Sequence, residues 1–174
     1  MVSRLKTIDK IIWYRKNSPI TKKGVQLFQN FKFLLPSLYF AILTKSDGGS
    51  LDYDFDYFDI EEKKNINTGF SCIYGLECDS DNLLHHYYDP PEFFPKDLVS
   101  FSEIANGDRL CFDYRDNPKT DDPPIVYWNH ESAIDESVSF VSKNFDEFIK
   151  RLKEPEDKKE HSDEEFELWY QNLP

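Results

Sequence analysis

Between Leu51 and Tyr57 apolar and acidic residues alternate: Leu51, Tyr53, Phe55 and Tyr57 fall on one side, Asp52, Asp54 and Asp56 on the other. A period of two is that of a β-strand, so this segment is predicted to bury one face and present an acidic one. Elsewhere the period lengthens. Leu5, Ile8, Ile11, Ile12 and Tyr14 are spaced for an amphipathic helix over 3–16, broken by Asn17-Ser18-Pro19. Thr21 is placed to cap a second helix running through Phe33, with Val25, Leu27, Phe28 and Phe31 as its apolar stripe. Pro36 suits a first helical turn, Tyr39, Ile42 and Leu43 follow at helical spacing, and Asp47-Gly48-Gly49 is predicted to end that helix at about 46.

Shorter apolar runs predict strands at 70–77, 98–101, 109–114, 125–129 and 138–141, and a helix over 82–88 ahead of Pro90-Pro91. Asn106-Gly107-Asp108 is a turn signal directly before Leu110-Cys111-Phe112, which predicts a hairpin. Asn144 stands three residues before Glu147, a capping-box spacing, and Phe145, Phe148, Ile149 and Leu152 share a helical face that Glu154-Pro155 ends. A last short helix is predicted from Ser162, docking Phe166, Trp169 and Tyr170. Helices and strands interleave too irregularly for a parallel series. The prediction is a single α+β domain with a mainly antiparallel central sheet flanked by helices.

Composition narrows the function classes. At 174 residues, with 15 Phe, 10 Tyr and 3 Trp, the chain can close one aromatic core. The basic N-terminus lacks an apolar stretch of signal-peptide type, and no apolar run is long enough to span a bilayer. Cys72, Cys78 and Cys111 lack paired spacing and read as reduced, half-buried strand residues, so the expected location is the cytoplasm. The net charge of −12 is uneven: residues 1–45 hold nine Lys/Arg against Asp9 alone, while the remainder holds 12 basic against 32 acidic residues. Such a surface repels nucleic acid and steers towards basic partners. The basic N-terminal quarter is expected to offset the acidic remainder within the fold.

Candidate chemistry is sparse. The Asp52, Asp54, Asp56 ladder lacks the Gly and Glu of a calcium loop, since Tyr57 and Lys63 stand at those places. His85 and His86 are adjacent and have no ligand-type partner a turn away, and Cys72 and Cys78 are not at zinc spacing, so no metal site is predicted. Neither a nucleophile elbow nor a phosphate loop is present. Cys111 and His130 are the pair that a fold could bring together as nucleophile and base, with Cys111 able to face either way. Gly48-Gly49 follows a helix instead of opening one, so it reads as a turn and not a phosphate cradle. Trp128 reads as a core anchor. The expectation is a non-catalytic, cofactor-free protein that binds another protein, with Asp52, Asp54, Asp56, Glu61 and Glu62 as the contact residues.

Several of these segments, taken in order, resemble the SUKH superfamily. Leu35-Pro36, Tyr39 three residues after the proline, the apolar pair Ile42-Leu43 and then Asp47-Gly48-Gly49 follow its most specific motif. The aromatic strand after the glycines, Gly107-Asp108 before Leu110-Cys111-Phe112, the strand around Trp128 ending in Asn129-His130, and Phe145 with Phe148 are similar too. The resemblance covers about 20–152. Asp47 departs from it, asparagine being commoner there, and so do a helical extension over 1–19 and a charged linker with a short helix over 155–174, which flank a domain placed at 20–154. The superfamily includes fungal regulators of cell-wall glucan synthesis, the bacterial Syd protein and many bacterial immunity proteins. The resemblance implies an α+β domain without cofactor that binds a protein, in bacteria often a toxin and frequently a nuclease, and the negative charge of the chain suits a basic toxin domain. A scaffold or regulator of cell-wall synthesis or stress signalling is the alternative it offers. Neither nucleic acid nor membrane is an expected partner.

Overall fold

The structure, a computed structural model, describes residues 11–79 and 81–154. Among them are seven strands, β1 (Trp13–Lys16), β2 (Gly49–Asp59), β3 (Lys64–Ile73), β4 (Leu98–Glu103), β5 (Arg109–Asp113), β6 (Ile125–Trp128) and β7 (Val138–Ser142). Four helices accompany them: α1 (Lys22–Gln29), α2 (Ser37–Leu43), α3 (Leu83–Tyr88) and α4 (Phe145–Arg151). The class is α+β, and every strand pair is antiparallel. The strands form two sheets, in the orders β1-β2-β3 and β4-β5-β6-β7. Their edge strands β3 and β4 are tied together where the Tyr74 N–H donates to the Phe101 carbonyl at 2.8 Å and the Ser102 hydroxyl to the Cys72 carbonyl at 2.8 Å.

β2 follows its alternation: Leu51, Tyr53, Phe55 and Tyr57 are buried, while Asp52 is exposed and Asp54 and Asp56 are half-buried. Three of the helices, α1, α3 and α4, start at a side-chain cap. The Thr21 hydroxyl accepts from the Lys23 N–H, the Asn82 side chain from Leu84 and His85, and the Asn144 side chain from Glu147, each satisfying N–H groups that a helix start leaves open. The hairpin β4–β5 closes through a turn at 105–107, with Gly107 at φ +91°.

Five expectations are corrected. Residues 13–16 are strand, not helix: Trp13 and Lys16 pair with Leu51 and Gly49, and two adjacent aromatic residues suit an edge strand. The part of that expected helix over 3–10, and the one from Ser162, lie outside the described residues. α1 stops at Gln29 and not Phe33, because Phe31 and Phe33 both enter the core and residues two apart share a side only in extended chain. α2 ends at Leu43 with Thr44, before the glycines are reached. β3 runs 64–73 instead of 70–77: its first half pairs with β2 across a turn in which Asp59 accepts from the Glu62 N–H at 2.8 Å. The half-buried reading of the cysteines also shifts, since Cys111 is fully buried and Cys78 lies in a loop.

The core is aromatic. Phe148 of α4 lies between the two sheets, its ring 5.5 Å from Phe55, 5.2 Å from Phe70 and 6.0 Å from Phe101. Full burial of a ring of this size contributes about 2–3 kcal/mol. Leu110 and Phe112 of β5 join this core, and Cys111 between them faces the opposite way, into a second cluster with Leu98, Val126 and Trp128.

Candidate protein-binding site

The motif Asp47-Gly48-Gly49 marks a place where three stretches of backbone cross. Asp47 is 5% exposed, and its carboxylate accepts from the Leu76 N–H at 2.7 Å and the Glu77 N–H at 2.8 Å. Its own N–H donates to the Ser18 carbonyl at 2.9 Å, and its carbonyl accepts from the Asn17 side chain at 3.0 Å. The glycines permit the crossing. A Cβ on Gly48, at φ +72°, would stand 2.6 Å from the Gly75 nitrogen, and one on Gly49, at φ +143°, would stand 2.4 Å from the Arg15 carbonyl oxygen. Tyr39 fixes the same junction from below: its hydroxyl donates to the Tyr74 carbonyl at 2.5 Å, and burial pushes it well above the usual phenol range.

Above this junction opens a cleft of about 450 Å³, with Asp47, Glu77, Asp79 and Asp81 on its wall and Arg15 as the cation among its lining residues. Glu77 is held by Thr21, whose N–H and hydroxyl each donate to its carboxylate at 2.7 Å. The Thr21 hydroxyl first, and then the backbone, keep the Glu77 carboxyl below its ordinary value. Asp79 and Asp81 complete an acidic rim suited to a Lys or Arg side chain. Sequence reading missed this cleft, because its wall is assembled from separate stretches of the chain, Arg15 to Thr21, Asp47 to Ser50, and Glu77, Cys78, Asp79 and Asp81 among them.

The five acidic residues expected to make contact are not brought together as one open surface. Asp52 is exposed. Asp54 exchanges both backbone hydrogen bonds with Lys153 at 2.9 Å, and the Lys153 ammonium pairs with the Asp56 carboxylate, which also accepts from Asn67 at 2.8 Å. These donors, Lys153 foremost, hold Asp56 below the usual carboxylate range. In the β2–β3 turn, Glu61 accepts from the Ser132 hydroxyl and Glu62 pairs with Lys64 at 2.7 Å. The chain's own cations and hydroxyls therefore occupy much of this face.

The second motif acid is likewise structural. Asp108 accepts from the Tyr127 hydroxyl at 2.5 Å and the His130 N–H at 3.0 Å, and lies 2.8 Å from His130 Nδ1. That contact occupies His130, while the Cys111 thiol is fully buried and pushed up by that burial, the opposite of nucleophile activation. Burial likewise raises Cys72 and Cys78. His86 stacks on Tyr74 at 4.3 Å and His85 is exposed. Among the described residues no group of three His, Cys, Asp or Glu is placed to hold a metal, and no helix is long and apolar enough to cross a membrane. Trp128 is 2% exposed, and Phe145 and Phe148 are core residues, as are Leu35 and Tyr39.

Residues 19–151 match the family model described as the SMI1 / KNR4 family (SUKH-1). No curated protein and no solved structure gives a significant match to the chain.

Proposed function

The chain belongs to the SMI1 / KNR4 family (SUKH-1), and from that premise we propose that it is a non-catalytic immunity-type protein that binds and neutralises a basic toxin domain in the cytoplasm. The observation that carries this reading is the acid-rimmed cleft built directly on the crossing at Asp47-Gly48-Gly49. Asp47 is used up in holding residues 76 and 77, so the carboxylates left on the cleft for a cation are those of Glu77, Asp79 and Asp81. An acidic rim on a chain of net charge −12 raises association rates with a basic surface and discriminates against acidic ones. Asp52, exposed on the β2 face, adds to the same field. A nuclease fits this description, since its own site must attract phosphate.

The test begins with a protein captured from the source organism by the full chain. Its isolated basic domain should be toxic when expressed alone and harmless when co-expressed with this chain. The double variant Asp79→Lys, Asp81→Lys should then slow association by roughly tenfold or more at low salt and flatten its salt dependence. A captured domain whose toxicity persists on co-expression would sink the immunity reading. An association rate indifferent to the double variant would remove the cleft from the interface.

A further inference from the structure

Helices α1 and α3 are joined by an edge-on ring contact between Phe31, just past α1, and Tyr87 of α3, 4.9 Å apart. Beside that contact runs a groove of about 280 Å³, lined by Lys23, Gln26, Leu27 and Phe31 on the α1 side and by Leu84 and Tyr88 of α3 on the other. Positions 23, 26 and 27 share one face of α1, and 84 and 88, four apart, share one face of α3. Its apolar residues are Leu27 and Leu84, both half-buried, Phe31, which is buried, and Tyr88, which is 74% exposed. An apolar groove between two helix faces is the form that receives a third, amphipathic helix through anchors at i, i+3, i+4 and i+7.

The chain's own sequence carries such a stripe. Past the described residues, Phe166, Trp169, Tyr170 and Leu173 recur at that spacing. Charge favours the match. Residues 162–173 hold Asp163, Glu164, Glu165 and Glu167 and no Lys or Arg, whereas residues 22–32 hold Lys22, Lys23 and Lys32 and no Asp or Glu. Lys32 is paired with Asp97 at 3.1 Å, and Lys23 is the cation on the groove wall. Length permits it too. The twelve positions from Glu154 to Phe166 span up to about 40 Å, against a radius of gyration of about 15 Å for a domain of this size.

We propose that the groove between α1 and α3 is the docking site of the chain's own residues 162–173, seated as an amphipathic helix with Phe166, Trp169 and Tyr170 on Leu27, Phe31 and Leu84 and with its acids towards Lys23. Because the segment is tethered, it meets the groove at a roughly millimolar effective concentration, so a modest intrinsic affinity suffices. Docked there it braces α3, whose six residues are too few to hold a helix unaided. The groove shares no residue with the acidic cleft, so this docking stands or falls separately from that reading.

The test uses the whole chain. The Asn30 and Asp89 amides close α1 and α3 by donating to the Gln26 and His85 carbonyls. In the double variant Phe166→Asp, Trp169→Asp their hydrogen exchange should accelerate about tenfold, while exchange in β5 stays as it was. Tyr88→p-benzoylphenylalanine, a change at an exposed position, should on irradiation attach to residues 166–173 of the same molecule, as read by mass spectrometry of the monomer band. Unchanged exchange at both helix ends, or equal acceleration in β5, overturns the docking. A covalent dimer as the main photoproduct overturns the intramolecular occupant in favour of a second copy, and photoproducts that miss residues 162–173 overturn the groove as their seat.

Discussion

Asp47 and Asp52 stand five positions apart on either side of a glycine pair, and they have opposite fates. Asp47 is buried at the crossing of three chain segments, with both carboxylate oxygens taken by backbone N–H groups. Asp52 lies on the outward face of β2, open to solvent, next to two aspartates whose backbone or carboxylate is tied to Lys153. A carboxylate that closes backbone hydrogen bonds in a dry site is part of the architecture. One in water contributes mainly to the long-range field, where a partner can use it. The acids that stand in the family's motifs, Asp47 in the place where asparagine is commoner and Asp108 after Gly107, are both of the first kind, so the resemblance reports the scaffold more directly than the contact surface.

The contrast is broken most severely at its buried end. Asp47→Ala leaves the Leu76 and Glu77 N–H groups without acceptors, and two charge-assisted hydrogen bonds in a buried site make the expected loss about 3 kcal/mol. The urea midpoint should fall with the slope unchanged; a loss under about 1 kcal/mol would mean that the crossing holds without its acid. Tyr39→Phe removes the hydroxyl that donates to the Tyr74 carbonyl at 2.5 Å and leaves that acceptor buried, for an expected loss of about 1–1.5 kcal/mol on the same measurement. A neutral result there would place the junction's stability in the Asp47 bonds alone.

The two ends were also unequally legible in the sequence. The β2 face was readable because period two leaves a local signature, and the caps at Thr21 and Asn144 were readable because each satisfies an N–H group two or three residues away. Nothing local announces that Asp47 bonds to residues 76 and 77, since that contact spans 29 and 30 positions. For the same reason the cleft above it and the groove between α1 and α3 could not be seen. The first half of β3, Lys64-Asn65-Ile66-Asn67-Thr68-Gly69, was missed because a largely exposed hairpin arm carries little apolar alternation. Residues 13–16 were misassigned because a helical period borrowed from their neighbours outweighed the pairing that β2 offers them.

Acid titration sharpens the comparison through Glu77 at the crossing and Asp56 on the β2 face. The Thr21 hydroxyl and N–H hold Glu77 below its ordinary 4.5, and Lys153 followed by Asn67 holds Asp56 below its ordinary 3.8. A carboxyl whose value is depressed in the folded state stabilises it fully above the unfolded value and loses that contribution as pH falls through the folded one. Stability should thus decline as pH drops below about 4.5. With both groups solvated, their joint share is about 1 kcal/mol after screening. High salt should reduce the Asp56 part, which rests on an ion pair, more than the Glu77 part, which rests on neutral donors. Urea midpoints between pH 6 and 3 for the chain, Glu77→Gln and Asp56→Asn separate the two, and equal salt sensitivity would erase the distinction drawn here.

The smallest effect decides whether the β2 face is open for use. Lys153→Ala removes an ion pair with Asp56 in which both side chains are well exposed, 58% and 41%, so it should cost about 0.5 kcal/mol. Asp52→Asn should change stability by less than that, within about 0.5 kcal/mol of zero in either direction, because the Asp52 side chain is exposed on the outward face of β2. The same substitution lowers the negative field in front of the strand and should therefore slow encounter with a basic partner while leaving the midpoint in place. If Asp52→Asn instead cost more than about 1 kcal/mol, the outward face would be structural like the crossing, and the β2 aspartates would have to be withdrawn from the binding surface.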